Sequence, residues 1–275
     1  MNPAPSTTTV TSSANPTTVG ASVTFTASVT GNAPTGTVKF TDGGTTIGTC
    51  STAALIGSGN PRTATCTTNT LSAGTHSVVA TYAGNAGNAA SSSSPMTQSV
   101  VGTTPVMANA WSRRVHGAAG VFDLPLSLVL TNPTTEPRQG PAQTVVVSFG
   151  KPITSATVAV TEGAAIAAAP TFSGNNVIVN LTGVTNRQYV TVTLSNVKSA
   201  DGGTGGTGKV RIGFLVGDVS QNRVITLADA GLVNAALAQQ VTTLNYLKDI
   251  NASGSLTLAD KAIVNASLST ALPPP

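Results

Sequence analysis

Val23-Thr24-Phe25-Thr26-Ala27-Ser28-Val29 alternates apolar and polar side chains with a period of two. Successive side chains of a strand point to opposite faces, so this stretch predicts a strand that buries Val23, Phe25, Ala27 and Val29 on one side. Working outward, Gly36-Thr37-Val38-Lys39-Phe40-Thr41 follows a Pro34-Thr35 turn, and Asp42-Gly43-Gly44 is a hairpin turn signal. Thr45 to Cys50, Arg62 to Thr68 and His76 to Tyr82 continue the series. About seven short strands separated by turn residues predict a β-sandwich. The Pro- and Thr-rich residues 1–10 and the Ser-, Thr- and Pro-rich residues 91–105 read as linkers.

The whole chain has the composition such a fold needs. Of 275 residues only 8% are charged and 4% aromatic, while Thr, Ser, Gly, Ala and Val dominate. β-Branched residues suit a pleated sheet, and this much Val sets the chain apart from disordered sequences. The net charge of +4 comes from thirteen scattered Lys and Arg, the densest pair being Arg113-Arg114. Nucleic-acid binders cluster their bases on one face, so that partner class is excluded. No apolar run approaches the ~20 residues of a membrane helix. The opening Met1-Asn2-Pro3-Ala4-Pro5-Ser6 is not a signal peptide, and the expectation is a C-terminal fragment of a longer secreted protein.

Cys50 and Cys66 are the only cysteines. Both fall in Thr-rich runs read as neighbouring strands, where a disulfide would add up to ~3 kcal/mol and fit an oxidising compartment. The alternative is two free buried thiols.

Residues 6–101 resemble the bacterial immunoglobulin-like repeat family. The matching residues are Val19-Gly20-Ala21-Ser22-Val23-Thr24-Phe25-Thr26-Ala27, Pro34-Thr35-Gly36-Thr37-Val38-Lys39-Phe40, Leu71-Ser72-Ala73-Gly74-Thr75-His76 and Ala80-Thr81-Tyr82-Ala83-Gly84-Asn85. The resemblance implies an immunoglobulin-like sandwich serving as a spacer or adhesive module on bacterial surfaces. The cysteine pair and the insert between the cysteines depart from the family pattern.

Residues 106–216 predict a second sandwich, with strands at Gln143 to Phe149, Ala156 to Thr161, Asn176 to Leu181, Tyr189 to Leu194 and Lys209 to Phe214. Gly202 to Gly208 reads as a loop. It leads into a strand and lacks the Gly-Lys-Ser/Thr ending, so it is no phosphate-binding loop. The stretch from Ser112 to Asp123 resembles a recurrent motif of large bacterial secreted proteins, in which Arg114, His116 and Asp123 are expected to form a structural polar cluster.

The carboxylates are concentrated in one place. Of nine Asp and Glu, four sit at matched positions in a repeat. Asp218-Val219-Ser220-Gln221-Asn222-Arg223-Val224-Ile225-Thr226-Leu227-Ala228-Asp229 aligns with Asp249-Ile250-Asn251-Ala252-Ser253-Gly254-Ser255-Leu256-Thr257-Leu258-Ala259-Asp260 at an offset of 31 residues. Leu232 to Leu237 likewise matches Ile263 to Leu268. Calcium takes six to eight oxygens, and a twelve-residue loop supplies them from positions 1, 3, 5, 7, 9 and 12. These are Asp218, Ser220, Asn222, the Val224 carbonyl, Thr226 and Asp229 in the first loop. In the second they are Asp249, Asn251, Ser253, the Ser255 carbonyl, Thr257 and Asp260. Every side chain in both sets ends in oxygen. Ile225 and Leu256, at the eighth place, are expected to tie the loops together. Leu227, Ala230, Val233 and Leu237 share one face of a helix after the first loop, and Leu258, Ile263, Val264 and Leu268 follow the second.

Loop then helix, twice, resembles the dockerin family over residues 217–270. That resemblance implies a calcium-dependent module that plugs secreted proteins, many of them in polysaccharide degradation, into cohesin-bearing scaffolds. Its partner face would be Leu227, Ala228, Asn234 and Ala235, with the identical set Leu258, Ala259, Asn265 and Ala266, allowing two docking orientations related by a half turn. The alternative packs Leu227 and Leu258 inside the module or against the preceding sandwich. The glycine usual at the sixth position is kept as Gly254 but is Arg223 in the first loop. With two carboxylates per loop, affinities on the order of 10⁻⁵ to 10⁻³ M are expected. A calcium-free first loop, braced by Arg223 against Asp218 or Asp229, is the competing reading.

The expectation is therefore a mainly β chain, with immunoglobulin-like sandwiches at 1–102 and 103–216 and a small α-helical dockerin-like module with two EF-hand-type calcium loops at 217–275. It predicts a monomeric, non-catalytic region of a secreted bacterial protein, extracellular or at the cell surface, binding two calcium ions and a cohesin-like module or a neighbouring domain. The alternative is a surface adhesin whose sandwiches bind a ligand and whose calcium loops are only structural. His76 and His116 are the only histidines and neither lies near a nucleophile motif. No carboxylate pair outside the loops is spaced for glycoside hydrolysis.

Overall fold

The computed structural model describes residues 2–140 and 142–274; Met1 and Pro275, the outer ends of the first and third expected domains, lie outside that range. The chain divides into two compact units, Met1–Thr103 and Thr104–Pro275.

The first unit holds β1 (Thr7–Ser12), β2 (Thr17–Thr18), β3 (Val23–Thr30), β4 (Thr37–Asp42), β5 (Thr45–Thr46), β6 (Ala53–Ala54), β7 (Arg62–Thr68), β8 (Gly74–Tyr82), β9 (Ser91–Ser92) and β10 (Met96–Val101). One sheet runs β1-β3-β7; the other runs β2-β10-β8-β4-β5, with β6 and β9 paired at its margins. The alternation of β3 survives intact. Val23, Phe25, Ala27 and Val29 face inward against Val38, Phe40, Val78, Ala80 and Tyr82. Both expected linkers are partly strand. Thr7–Ser12 pairs along β3, and Met96–Val101 pairs with β8, because their Thr and Val residues complete the two sheets.

Cys50 and Cys66 form a disulfide with Cα atoms 5.6 Å apart. Cys50 sits in a turn rather than in the expected strand. Its carbonyl accepts from the Phe40 amide on β4, while Cys66 lies on β7, so the bridge joins the two sheets.

The second unit contains β11 (Met107–His116), β12 (Gly120–Pro125), β13 (Thr134–Glu136), β14 (Gln143–Phe149), β15 (Ile153–Glu162), β16 (Ile166–Ala167), β17 (Thr171–Ser173), β18 (Asn176–Thr182), β19 (Gln188–Ser199) and β20 (Gly206–Phe214). Its sheets run β12-β11-β14-β18-β16, with β17 on β18, and β13-β20-β19-β15. The inward residues Val145, Val147, Phe149, Val177, Val179, Leu181, Val190, Val192, Leu194, Val210 and Ile212 fill the space between them. The end of the glycine-rich stretch is strand rather than loop. Gly206 lies so close to Pro105 that an added Cβ would come within 2.8 Å of its carbonyl oxygen.

Two helices follow, α1 (Leu227–Asn234) and α2 (Leu258–Ala266). Residues 217–275 pack in one compact unit with the second sandwich, where the sequence places a domain boundary. Tyr189 of β19 shares an apolar cluster with Leu215, Ile225, Val233, Ile250, Val264 and Leu272. Backbone bonds add to it: the Gly217 amide donates to the Pro137 carbonyl and the Gln139 amide to the Ile250 carbonyl.

Candidate metal site

The two loops are built alike. Thr226 and Thr257 are N-caps, with Asp229 and Asp260 three residues on as capping-box partners. Asp229 Oδ2 accepts from the Thr226 amide at 2.9 Å, and Asp260 Oδ2 from the Thr257 amide at 2.9 Å. The other carboxylate oxygens reach back across the loops. Asp229 Oδ1 accepts from the Ser220 amide at 2.9 Å and Asp260 Oδ1 from the Asn251 amide at 3.3 Å. At the first position, Asp218 Oδ2 accepts from the Arg223 amide and Asp249 Oδ2 from the Gly254 amide, both at 2.8 Å.

Backbone angles repeat too. Arg223 and Gly254 have φ of 73° and 88°, Gln221 and Ala252 58° and 53°, Ala238 and Ser269 63° and 64°. The eighth-position residues, expected to tie the loops together, are both buried, and their backbones bond elsewhere. The Ser269 amide donates to the Ile225 carbonyl and the Ala238 amide to the Leu256 carbonyl, so each loop pairs with the tail after the other helix. Reciprocal pairing of this kind is what a pseudo-two-fold axis produces.

Within each loop the hydroxyls lie beside the aspartates. All four aspartates are fully buried. The Ser220 hydroxyl lies 3.3 Å from Asp218 Oδ1, the Thr226 hydroxyl 3.2 Å from Asp229 Oδ2, the Ser253 hydroxyl 3.4 Å from Asp249 Oδ1 and the Thr257 hydroxyl 3.2 Å from Asp260 Oδ2. Asn222 and Asn251 turn their Oδ1 atoms to the Val224 and Ser253 amides. Val224 and Ser255 are exposed at the loop edges.

Among the described residues, no Lys, Arg or His side chain pairs with Asp218, Asp229 or Asp260. Burial, and the charge of Asp229 beside it, push the Asp218 carboxyl above its ordinary value. Buried carboxylates normally find a countercharge or a metal. Among the described residues no three of His, Cys, Asp and Glu gather to share an ion. The donor set is two carboxylates per loop plus neutral oxygens, which fits a hard oxygen-seeking cation such as calcium. Arg223 does not brace Asp218 or Asp229 with its side chain. Its guanidinium donates to Asn132 Oδ1 and the Pro133 carbonyl, and only its amide serves the loop.

Beside the second loop lies a buried polar network that the sequence reading missed. Arg138 uses all five of its side-chain donors. Nε and one terminal nitrogen hold Glu136 at 2.7 and 2.6 Å, and the Ser112 and Phe122 carbonyls accept at 2.8 and 3.0 Å. The fifth reaches His116 Nε2 at 3.3 Å. Ser112 also donates its hydroxyl to Glu136. Burial alone would raise the Glu136 carboxyl, but the Arg138 guanidinium, with Ser112, holds it below its ordinary value. Phe122 and Tyr246 stack at 5.3 Å, with Arg138 over the Tyr246 ring.

The expected cluster of Arg114, His116 and Asp123 is not formed. Asp123 takes a bidentate bond from Arg113, Arg114 donates to the Ala142 carbonyl, and His116 bonds Asp249 at 2.8 Å. Strand register explains why Asp123 is lost from the set: it lies opposite Arg113, on the other face of the sheet from Arg114 and His116. Glu136 and Arg138 carry no periodic signal; their one mark is being two charges astride Pro137 in a charge-poor chain.

The expected partner residues Leu227, Ala228, Asn234, Ala235, Leu258, Ala259, Asn265 and Ala266 are all exposed. Leu227 is 76% and Leu258 71% accessible, so neither packs inside, and the buried helix face is carried by Ala230, Val233 and Val264.

Residues 10–101 match the family model described as bacterial Ig-like domain (group 3). The first unit thus carries a bacterial Ig-like domain. Such a domain and a disulfide fit an extracellular setting, and among the described residues no helix is long and apolar enough to cross a membrane. No curated protein matches the chain significantly. Solved structures with some likeness include the CbhA fibronectin(III)-like modules of Clostridium thermocellum, at 13% identity over 75% of this chain and 94% of that one, TM-score 0.30. Rst D1-D2 matches at 13% identity over 75% and 99%, TM-score 0.39. The Escherichia coli adhesin FdeC matches at 16% identity over 75% and 63%, TM-score 0.29. With TM-scores this low, nothing about this chain's partners follows from them.

Proposed function

We propose that this chain is a non-catalytic region of a secreted bacterial protein. Its Ig-like domain acts as a spacer, and its C-terminal loops bind two calcium ions and present a docking face for a cohesin-like module. What carries the reading is the pair of matched loops, each holding two fully buried aspartates, none of the four paired with a Lys or Arg side chain among the described residues. Calcium would supply that missing charge, held by oxygens from positions 1, 3, 5, 7, 9 and 12 of each loop. Asp218 to Asp229 would hold one ion and Asp249 to Asp260 the other.

Support for docking comes from Leu227 and Leu258, large apolar side chains left in water at matched places. The two faces are alike in sequence but not in surroundings. Ala266 borders a groove of about 460 Å³ shared with Val184, Thr185 and Asn186 of the sandwich, whereas Leu227 and Ala228 border another with Val224, Ile225 and Leu268.

Calcium calorimetry on the full chain tests the first half, with Asp218→Ala and Asp249→Ala each expected to remove one binding event. The second half is tested by calcium-dependent capture on an immobilised cohesin module. Calcium binding without capture would reduce the loops to structural elements.

A further inference from the structure

We infer that His116, carried by the second sandwich, is a positioning residue for the second loop, and that it makes the two loops unequal calcium sites with 249–260 the tighter. The inference rests on the calcium reading above. His116 and Asp249 are both fully buried and lie 133 positions apart in sequence, with His116 Nδ1 2.8 Å from Asp249 Oδ2. Arg138 can only donate, so His116 Nε2 accepts from it and the ring proton sits on Nδ1, facing the carboxylate.

With the Gly254 amide on the same atom, Asp249 Oδ2 is held from two directions. Oδ1, to which the Ser253 amide and hydroxyl point, faces the interior of the loop, where an ion would sit. The backbones on either side are in contact, since a Cβ on Gly117 would come within 2.2 Å of the Ser253 carbonyl oxygen. His116 is therefore not free to swing away from Asp249.

In the first loop the sandwich offers no imidazole. Beyond the loop's own Asn222 and Arg223 amides and Ser220 hydroxyl, Asp218 is approached from the sandwich by the Thr135 hydroxyl of β13, without a well-aligned hydrogen bond. A hydrogen bond that orients a ligating carboxylate changes metal affinity by roughly 10–100-fold. The sequence repeat alone gives two equal loops, and the sandwich breaks the equality.

Calorimetry with calcium chloride on the full chain tests this through a pair of substitutions. The amide nitrogen of His116→Asn falls near the place of Nδ1, whereas that of His116→Gln falls near the place of Nε2. The unaltered chain should show two unequal events. Asparagine should keep the tighter event within a few-fold, and glutamine should weaken it about tenfold or more while leaving the weaker event in place. Asp260→Asn should remove the same event, assigning it to the second loop. Equal calcium affinity in the asparagine and glutamine variants, or equal weakening of both events, would overturn the role of His116. A chain that takes up no calcium at all would instead bring down the calcium reading on which this rests.

Discussion

Gly117 and Gly254 face each other across a contact with no room for a side chain. A Cβ on Gly254 would lie 2.5 Å from the His116 carbonyl oxygen, and one on Gly117 2.2 Å from that of Ser253. Gly254 also has φ of 88°, in the left-handed region. Two effects therefore add at Gly254→Ala, backbone strain of about 1–2 kcal/mol and overpacking of about 1–3 kcal/mol. Denaturant unfolding should show the second unit losing roughly 2–5 kcal/mol, with the first unit unchanged. An unaltered second transition would mean that the loop does not dock there.

Glu136 and Arg138 are both fully buried, so removing one leaves the other charge stranded. Glu136→Gln should cost the second unit about 3–5 kcal/mol, and a double replacement by apolar residues should recover much of it. The acid dependence has a definite sign. The folded carboxyl lies below its ordinary 4.5, so its contribution is complete above that value and is lost as pH falls through the lower folded value. Thermal melts across acid pH should show this limb in the unaltered chain and its reduction in Glu136→Gln.

The Cys50–Cys66 bridge closes a short loop between the two sheets of the first unit. Its removal by paired alanine substitution should cost about 3 kcal/mol. Two-transition calorimetry should place that loss wholly in the Ig-like domain. An equal shift in both transitions would contradict the division into two units.

Leu227→Asp with Leu258→Asp should separate docking from stability. Both side chains are exposed, so the melting of the second unit should move by no more than about 0.5 kcal/mol. Calcium-dependent capture by a cohesin module should disappear. Capture that survives both substitutions would place the partner elsewhere.

Much of this was readable from the chain, for reasons that differ by element. Val23 to Val29 is legible because strand periodicity is local and one face is buried from end to end. Thr7 to Val10 and Met96 to Val101 read as linkers because their Thr, Ser and Pro content is shared by loops and by strands. Only pairing with β3 and β8 separates the two. Leu227 and Leu258 fit a helical apolar face, yet at the first turn of each helix they lie outside the packed contact.

The sequence by itself determined the sandwich strands, the two loops and the oxygen-bearing residues within them, because periodicity, repeat and donor chemistry are properties of neighbours along the chain. Tertiary structure alone decided that the sandwich brings His116 to Asp249 and the Thr135 hydroxyl to Asp218, and that Glu136 and Arg138 are buried as a pair. Those pairings join residues up to 133 positions apart, and what selects them is the close packing of one backbone on another, which no local pattern encodes.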